Sequence, residues 1–375
     1  MGSHRRLITG VLTSSRADYG IYLPLLKALR QDGAFDLRLL VFGTHLSEKF
    51  GMTVRQIEAD GFEPAVRVET LPAGDAPGDI SLSMAKTMEG FTPLWRSTHF
   101  DLIFALGDRY EMFAAVASTV PFNIPIAHIH GGETTSGAID DAFRHAISCM
   151  SSLHFTSTET YKERVLEITG KTGNVFNTGA LSVDTIMQTK LLAPEEFKHS
   201  YHIDLSGPAI LVTFHPETID PDKNQGYTEE LIRALDVMPQ YRLVVTMPNA
   251  DTEGLQVRNA LKAWGEKKEN VHLVESFGSA GYLSCMKHCT MMLGNTSSGF
   301  VEAAYFSKPV INLGERQKGR LVTPNIINVP VEAAKILEAV KTVEKARPVK
   351  VAPVYGTGGA AGEILAIVKK KFNLK

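Results

Sequence analysis

The chain is poor in the features that would fix its class at once. It has three cysteines, at 149, 285 and 289, and no histidine or cysteine elsewhere stands at a spacing that would complete a metal set around them. A disulfide framework and a structural zinc are therefore not expected, and a reducing cytoplasm is the expected compartment. Cys285 and Cys289 lie four apart on an expected helix, where small buried thiols are common. No apolar run reaches the length of a membrane span, and no signal peptide is recognised before Arg5. Charge of one sign is also lacking. Lys and Arg number 39 against 41 Asp and Glu, for a formal net charge of -2, and no basic block offers a track for nucleic acid. Neither a membrane nor a nucleic acid is an expected partner.

What is present is a globular composition, 44% hydrophobic and 21% charged over 375 residues. That length exceeds one average core and fits two domains of under 200 residues each. Short β-branched runs alternate with stretches of helical periodicity, which predicts parallel sheets covered by helices. In the first half, strands are expected at 7–12, 37–42, 65–69, 102–106, 125–129, 153–156 and 175–177. Helices are expected at 21–30, 81–95, 112–118, 139–150, 160–168 and 182–189. The polar run 191–207, with Pro194 and Gly207, reads as a linker. The pattern then restarts, with strands at 210–214, 243–247, 271–274, 291–293, 310–313 and 326–329. Its helices fall at 229–237, 254–264, 280–287, 299–306 and 331–343. The expected architecture is α/β: two doubly wound domains, 1–190 and 191–355, facing each other across a cleft, with a terminal segment 356–375. The run Gly356-Thr357-Gly358-Gly359-Ala360-Ala361 has the spacing of a dinucleotide fingerprint. No strand and no acidic residue follow at the required distance, so it reads as a hinge into a final helix.

Ligands of such sheets bind beyond the carboxyl ends of the strands, so the strand-end loops carry the functional signal. Gly294-Asn295-Thr296-Ser297-Ser298-Gly299 joins an apolar strand to a helix. Small residues admit a ligand close to the backbone, and hydroxyls and helix N–H groups suit a phosphate or pyrophosphate. Glu302, one turn on, is placed for a ribose diol. An ordinary helix cap uses the same residue types. Ser14-Ser15-Arg16-Ala17-Asp18-Tyr19-Gly20 offers Arg16 either to a phosphate or to Asp18 in closing a turn. Asp108, in Gly107-Asp108-Arg109-Tyr110-Glu111, is a helix cap or a base. His128-Ile129-His130-Gly131-Gly132-Glu133 is followed by Asp140, Asp141, Arg144 and His145. Strand alternation would put His128 and His130 on one side, and Asp140 and Arg144 share a helix face. Acid–base chemistry needs fewer assumptions there than zinc; a solvated salt bridge on an acidic helix start is the bland alternative. His215 closes the first strand of the second half as an acid or a phosphate contact. Arg316, Lys318 and Arg320 cluster in Gly314–Arg320, where they either face solvent or neutralise a diphosphate. Asn249 and Asp251 complete the set.

With RADYG, LGDRYE, HIHGGE, IDDAFRHAI, FHPET, NADT, GNTSSG and ERQKGR in register from about residue 6 to 370, the chain resembles the hydrolysing UDP-N-acetylglucosamine 2-epimerases. Within them it is similar to the bacterial sialic-acid branch. The resemblance implies two Rossmann-like halves of glycosyltransferase-B type, with the last helix crossing back to the first domain. It also implies anti elimination of UDP across C1 and C2 to a 2-acetamidoglucal, then hydration to N-acetylmannosamine. By that resemblance Arg16, His215, Ser297, Ser298 and Arg320 face the diphosphate and Glu302 the ribose. Asp108, Glu133 and Asp140 form the acid–base group, with Arg109 and Arg144 positioning them. Tyr19, Gly20, Asn249, Asp251, Asn295, Gly299 and Arg316 fall among the substrate contacts. Many relatives carry glutamate where this chain has His130, so either His130 or Glu133 takes the proton. Their glycine loop commonly reads Asp-Gly-Asn, against Thr357-Gly358-Gly359 here. No metal and no nicotinamide are implied, and a homodimer or homotetramer is.

The expected substrate is UDP-N-acetylglucosamine. A UDP-linked 2,4-diacetamido-2,4,6-trideoxyglucose, on a legionaminic-acid route, is the neighbouring alternative. A transferase of the same two-domain build would leave C2 untouched, and a non-catalytic sensor would release no UDP.

Overall fold

The computed structural model describes residues 5–71, 74–170, 172–248 and 254–374. Contacts divide the chain into two compact units. The first holds the residues up to Glu133 together with Asp140–Gln188 and the segment from Val354 on; the second holds Thr134–Ile139 and Thr189–Pro353.

The first unit is built on one parallel sheet. Its strands are β1 (Leu7–Thr13), β2 (Phe35–Phe42), β3 (Pro64–Val68), β4 (Leu102–Leu106), β5 (Ile126–Ile129), β6 (Leu153–Thr156) and β7 (Val175–Asn177). They lie in the order β3-β2-β1-β4-β5-β6-β7. The second unit repeats the plan with β8 (Ala209–Thr213), β9 (Arg242–Thr246), β10 (Val271–Val274), β11 (Met291–Gly294), β12 (Val310–Leu313) and β13 (Ile326–Val329). Their order is β10-β9-β8-β11-β12-β13, again all parallel. Each chain half starts mid-sheet, winds to one edge and then returns to wind to the other. The strand order reverses between β1 and β4 in one unit and between β8 and β11 in the other, which is where a ligand crevice forms.

Strands buried on both faces explain the near-continuous apolar runs. Leu39 and Val41 of β2, and Leu102 and Phe104 of β4, join one core with Tyr22, Leu25 and Leu29 of the helix Arg16–Gln31. Leu40 and Phe42, and Ile103 and Ala105, point the other way into a core with Phe91, Trp95, Met112 and Val116. Trp95 stacks on Phe91 with centroids 5.1 Å apart, and its indole N–H donates to Ser118 Oγ at 2.8 Å, so neither its area nor its polar atom is wasted.

The final helix, Ala360–Lys371, packs Ile364, Leu365 and Val368 into the first unit's core. Gly359 at its start has no side chain to cap it. Asp184 supplies the missing acceptor, taking the N–H groups of Ala360 and Ala361 at 3.1 and 2.8 Å.

Several stretches depart from the sequence expectation, among them an unexpected helix at Val54–Ala59. The segment 191–207 is not simply a linker, because Pro194–Tyr201 is a helix. Pro194 sits in its first turn, Glu196 accepts from the Ala193 N–H, and Phe197 is fully buried beside Phe277. The first helix begins at Arg16 rather than Ile21, since Ser15 and Asp18 form a capping box. The helix expected over 299–306 is a 3-10 turn, Ser297–Gly299, followed by only Glu302–Tyr305.

At β11 the chain has no room for a side chain. Gly294 has φ +142°, and a Cβ there would lie 1.9 Å from the Thr213 carbonyl oxygen, which itself accepts the Asn295 N–H. Gly294→Ala is expected to lower stability by about 2 kcal/mol or more, read as a fall in the urea midpoint; an unchanged midpoint would contradict this geometry.

Candidate active site

In the first unit the groups singled out from the sequence gather at the ends of β4 and β5. Arg144, 1% exposed on the helix Asp140–Met150, is the hub. Its guanidinium pairs with Asp108 from the β4 loop and with Asp141 at 2.6 Å, and it donates to the Glu133 carbonyl at 2.6 Å. A planar fork with five donors is the side chain that can serve three acceptors from three segments. The capping role weighed for Asp108 does not apply: Arg109 is the N-cap of the next helix and makes no side-chain cap bond. Asp140 lies at the same helix start as Asp141, half-buried, but the carboxylate shown pairing with Arg144 is that of Asp141.

Glu133 is 4% exposed. Its Oε1 accepts from Ser157 Oγ at 3.0 Å and lies 3.5 Å from His130 Nδ1. The turn that aims it needs Gly132, at φ +80°, where a Cβ would meet the Tyr161 carbonyl oxygen at 2.2 Å. His130 itself has φ +63°, an uncommon backbone state outside glycine. β5 has ended at Ile129, so the alternation that would set His128 and His130 side by side stops there.

His128 is fully buried behind this loop. Its Nε2 lies 2.8 Å from the Gly107 carbonyl, which only accepts, so Nε2 carries the proton; Nδ1 then accepts from Ser148 Oγ at 2.9 Å. Burial pushes its pKa down to about 4, against a smaller upward pull from the Gly107 carbonyl. Arg109 lies 3.2 and 3.1 Å from the two carboxylate oxygens of the fully buried Glu111.

After β1, Arg16 is half-exposed in the first turn of its helix. Asp18 does not pair with it in closing the turn. Its carboxylate accepts instead from the Ser14 and Ser15 N–H groups, both at 3.0 Å, and from the Thr13 hydroxyl. Tyr19 and Gly20 are helical. Tyr19 is buried in the core and its hydroxyl donates to Asp60 at 2.8 Å, while the Gly20 carbonyl accepts from Thr185 Oγ1. The helix that starts at Arg16 takes in both, so neither lies in the loop expected from the sequence.

In the second unit the β8 and β11 ends are tied together. Asn295 Oδ1 accepts the His215 N–H at 2.7 Å and Asn295 Nδ2 donates to the His215 carbonyl at 2.8 Å. Asn295, fully buried, thus holds His215 in place at the switch point. Gln317 Nε2 donates to the Asn295 carbonyl at 2.8 Å, which brings the basic loop to the same point. Arg316 and Arg320 are both buried there, and Arg316 donates to the Pro216 carbonyl. Glu217, 4% exposed, accepts the Glu315 N–H at 2.8 Å. Beside them Thr296 Oγ1 accepts from the Ser298 N–H and lies 3.2 Å from Ser298 Oγ, which is 2.5 Å from the Tyr282 hydroxyl. Burial pushes the Tyr282 phenol up to about 12. Ser297 is exposed, Gly299 is buried, and Glu302 opens the short helix. The turn therefore offers hydroxyls and the arginine loop rather than the N-terminus of a long helix. Residues 134–139 also lie here: the Ser136 N–H reaches the Lys318 carbonyl at 3.0 Å, and the Ile139 N–H reaches Thr218 Oγ1 at 2.9 Å.

Asn249 and Asp251 lie outside the described residues. Ser157, Ser148, Glu217, Gln317 and Tyr282 were not singled out by sequence, since isolated hydroxyls, amides and carboxylates carry no periodic or motif signal. Among the described residues no group of three His, Cys, Asp or Glu could hold a metal ion, and no helix is long and apolar enough to cross a membrane.

The buried His128 makes a test. Its folded-state pKa lies below its unfolded value, so the unfolded chain binds the proton first as pH falls from about 6.5 towards 4. Stability is therefore expected to drop through that window by on the order of 2 kcal/mol from this group. Urea unfolding at pH 7 and pH 4.5 checks it: His128→Gln should show a smaller loss than the parent chain, and an equal loss would remove His128 as a cause.

The fold and motifs agree with known proteins. The family described as UDP-N-acetylglucosamine 2-epimerase matches residues 27–369. The chain is 35% identical over 319 residues to the GDP/UDP-N,N'-diacetylbacillosamine 2-epimerase (hydrolysing) of Campylobacter jejuni, covering 85% of this chain and 83% of that protein. It is 34% identical over 330 residues to the polysialic acid biosynthesis protein P7 of Escherichia coli, covering 88% and 84%. Among solved structures, the Neisseria meningitidis UDP-GlcNAc 2-epimerase bound to UDP-GlcNAc superposes with a TM-score of 0.82 at 18% identity, covering 98% of this chain and 100% of that one. With two parallel α/β units of one winding order, and a family match across most of its length, the chain belongs to the UDP-N-acetylglucosamine 2-epimerase family.

Proposed function

We propose that the chain is a hydrolysing 2-epimerase that converts UDP-N-acetylglucosamine and water to N-acetylmannosamine and UDP. The observation that carries this reading is the cluster at the ends of β4 and β5, where Asp108, Asp141 and the Glu133 main chain converge on Arg144 and the Glu133 carboxylate is buried beside Ser157 and His130. A group-transfer enzyme has no use for several carboxylates at the sugar C2, whereas an elimination needs a proton acceptor there and a donor on the other side of the ring.

The C2 hydrogen has no neighbouring carbonyl and is barely acidic. It becomes removable as the C1–O bond to the diphosphate breaks and positive charge develops on the ring. In the proposed first step Glu133 takes the C2 proton, C1=C2 forms, and UDP departs with the bonding electrons. In the second, water adds its hydroxyl to C1 and a proton returns to the opposite face of C2. Asp108 is held by its ion pair with Arg144. It suits a role in orienting the sugar or its water, with Asp140 at the helix start nearby. Departure of the diphosphate is the step that most needs fixed positive charge; in the second unit we assign that to His215, Ser297, Ser298, Arg316 and Arg320, and the ribose to Glu302, while Arg16 is the first unit's own candidate for an anion.

The relative named for diacetylbacillosamine favours a second substrate, the UDP-linked 2,4-diacetamido-2,4,6-trideoxyglucose, processed by the same chemistry. Purified protein incubated with each UDP-sugar separates the two by the monosaccharide released. In heavy water the product should carry deuterium at C2; retention of the original hydrogen rules out the elimination. Glu133→Gln is expected to slow turnover roughly 10²- to 10⁴-fold while calorimetric affinity for UDP changes little. Ser297→Ala should do the reverse, weakening UDP first.

A further inference from the structure

We propose that Ser157 is a positioning residue for Glu133, its hydroxyl fixing the carboxylate in the orientation from which it meets the sugar. The inference rests on the reading of Glu133 as the proton acceptor and deepens it.

Ser157 follows β6, in the turn that opens the helix Glu159–Thr169. A serine there would ordinarily cap that helix. The cap is made instead by Thr158, whose side chain accepts the Tyr161 N–H at 3.2 Å. The Ser157 hydroxyl, 1% exposed, donates to Glu133 Oε1 at 3.0 Å. The two turns are held in register by the sheet: β5 pairs with β6, and the His130 N–H continues the ladder to the Phe155 carbonyl at 2.9 Å. Glu133 is thus gripped twice. Its main chain is set by Arg144 on the carbonyl and by the left-handed Gly132 packed on Tyr161. Its side chain is set by Ser157 and His130. A base held within hydrogen-bond reach of one hydrogen loses rate steeply when its own rotamer is free.

Among the described residues, the charged and titratable groups shown near this carboxylate include His130 and His128 on β5 and its loop, Arg144 with its partners Asp108 and Asp141, and Tyr161, whose main chain packs on Gly132. The β6 turn contributes a neutral donor. A neutral donor favours the ionised carboxylate without cancelling its charge, so removing it makes Glu133 protonate at higher pH. Activity needs the ionised form, and the acid limb of the rate profile should therefore move upward.

The experiment measures UDP release from the preferred UDP-sugar against pH for the full chain and its Ser157→Ala and Ser157→Thr variants. In Ser157→Ala the acid limb of kcat is expected to shift up by about one pH unit. At mid-profile kcat is expected to fall roughly tenfold, with KM within about twofold. Ser157→Thr keeps the hydroxyl and should keep the parent limb. If the alanine variant is not recovered folded, Ser157→Cys, similar in size and a weaker donor, should shift the limb the same way by less. An unmoved limb in the folded alanine or cysteine variant, or a threonine variant shifted as far as alanine, overturns the role of Ser157 while leaving the epimerase reading intact. A parent enzyme that releases no UDP from any UDP-sugar removes both.

Discussion

The Arg144 guanidinium is the interaction on which the first unit's site depends. Three segments, the β4 loop, the turn after β5 and the helix Asp140–Met150 itself, meet on its donors. Its burial has a cost, since a charge removed from water must be repaid by well-made bonds. Asp108 and Asp141 keep about a fifth of their side-chain surface, so the pair is neither fully desolvated nor freely solvated. That middle position fixes both carboxylates while leaving part of each open to solvent. A lysine could not reproduce it, because a point charge on a flexible stem cannot hold three acceptors in one plane.

The second unit solves a similar problem with neutral groups. Asn295 grips both main-chain polar atoms of His215, and Gln317 grips Asn295 in turn. An amide offers a donor and an acceptor on one rigid plane, which a carboxylate or an ammonium does not. The ends of β8 and β11 are thereby tied through amides, and the charged side chains of Arg316 and Glu217 add ties to the Pro216 carbonyl and the Glu315 N–H. Residues 134–139 belong to this unit by their contacts with the Lys318 and Thr218 region, although they sit between Glu133 and Asp140 in the chain.

Most of the fold was legible because parallel strands buried on both faces write themselves as apolar runs. β4, β6, β7, β10, β12 and β13 have the expected bounds. The errors share a cause. Where local side-chain bonds override periodicity, the pattern misleads: Ser15 and Asp18 start a helix five residues early, and Glu196 starts one inside an apparent linker. Left-handed His130 ends an alternation that otherwise would have continued. The candidate site was legible in its charged members, which motifs concentrate, and illegible in Ser157, Gln317 and Glu217. Their roles exist only through partners 24, 22 and 98 positions away.

The same contrast explains why the sequence set Tyr19 and Asn295 near strand ends without showing which groups they bond. A residue type next to a strand end signals proximity to a site, and proximity is all that spacing supplies. Whether a side chain faces ligand or scaffold is settled by what else needs a partner nearby. Asp60 needs a donor, and Tyr19 provides it. The main chain of His215 leaves its strand and needs both a donor and an acceptor, and Asn295 provides them. Buried polar atoms must be satisfied before any are left for a substrate. In this chain the scaffold takes the Asn295 amide, the Tyr19 phenol and Asp18, which leaves arginines and serine hydroxyls as the donors that the proposed reading assigns to the diphosphate.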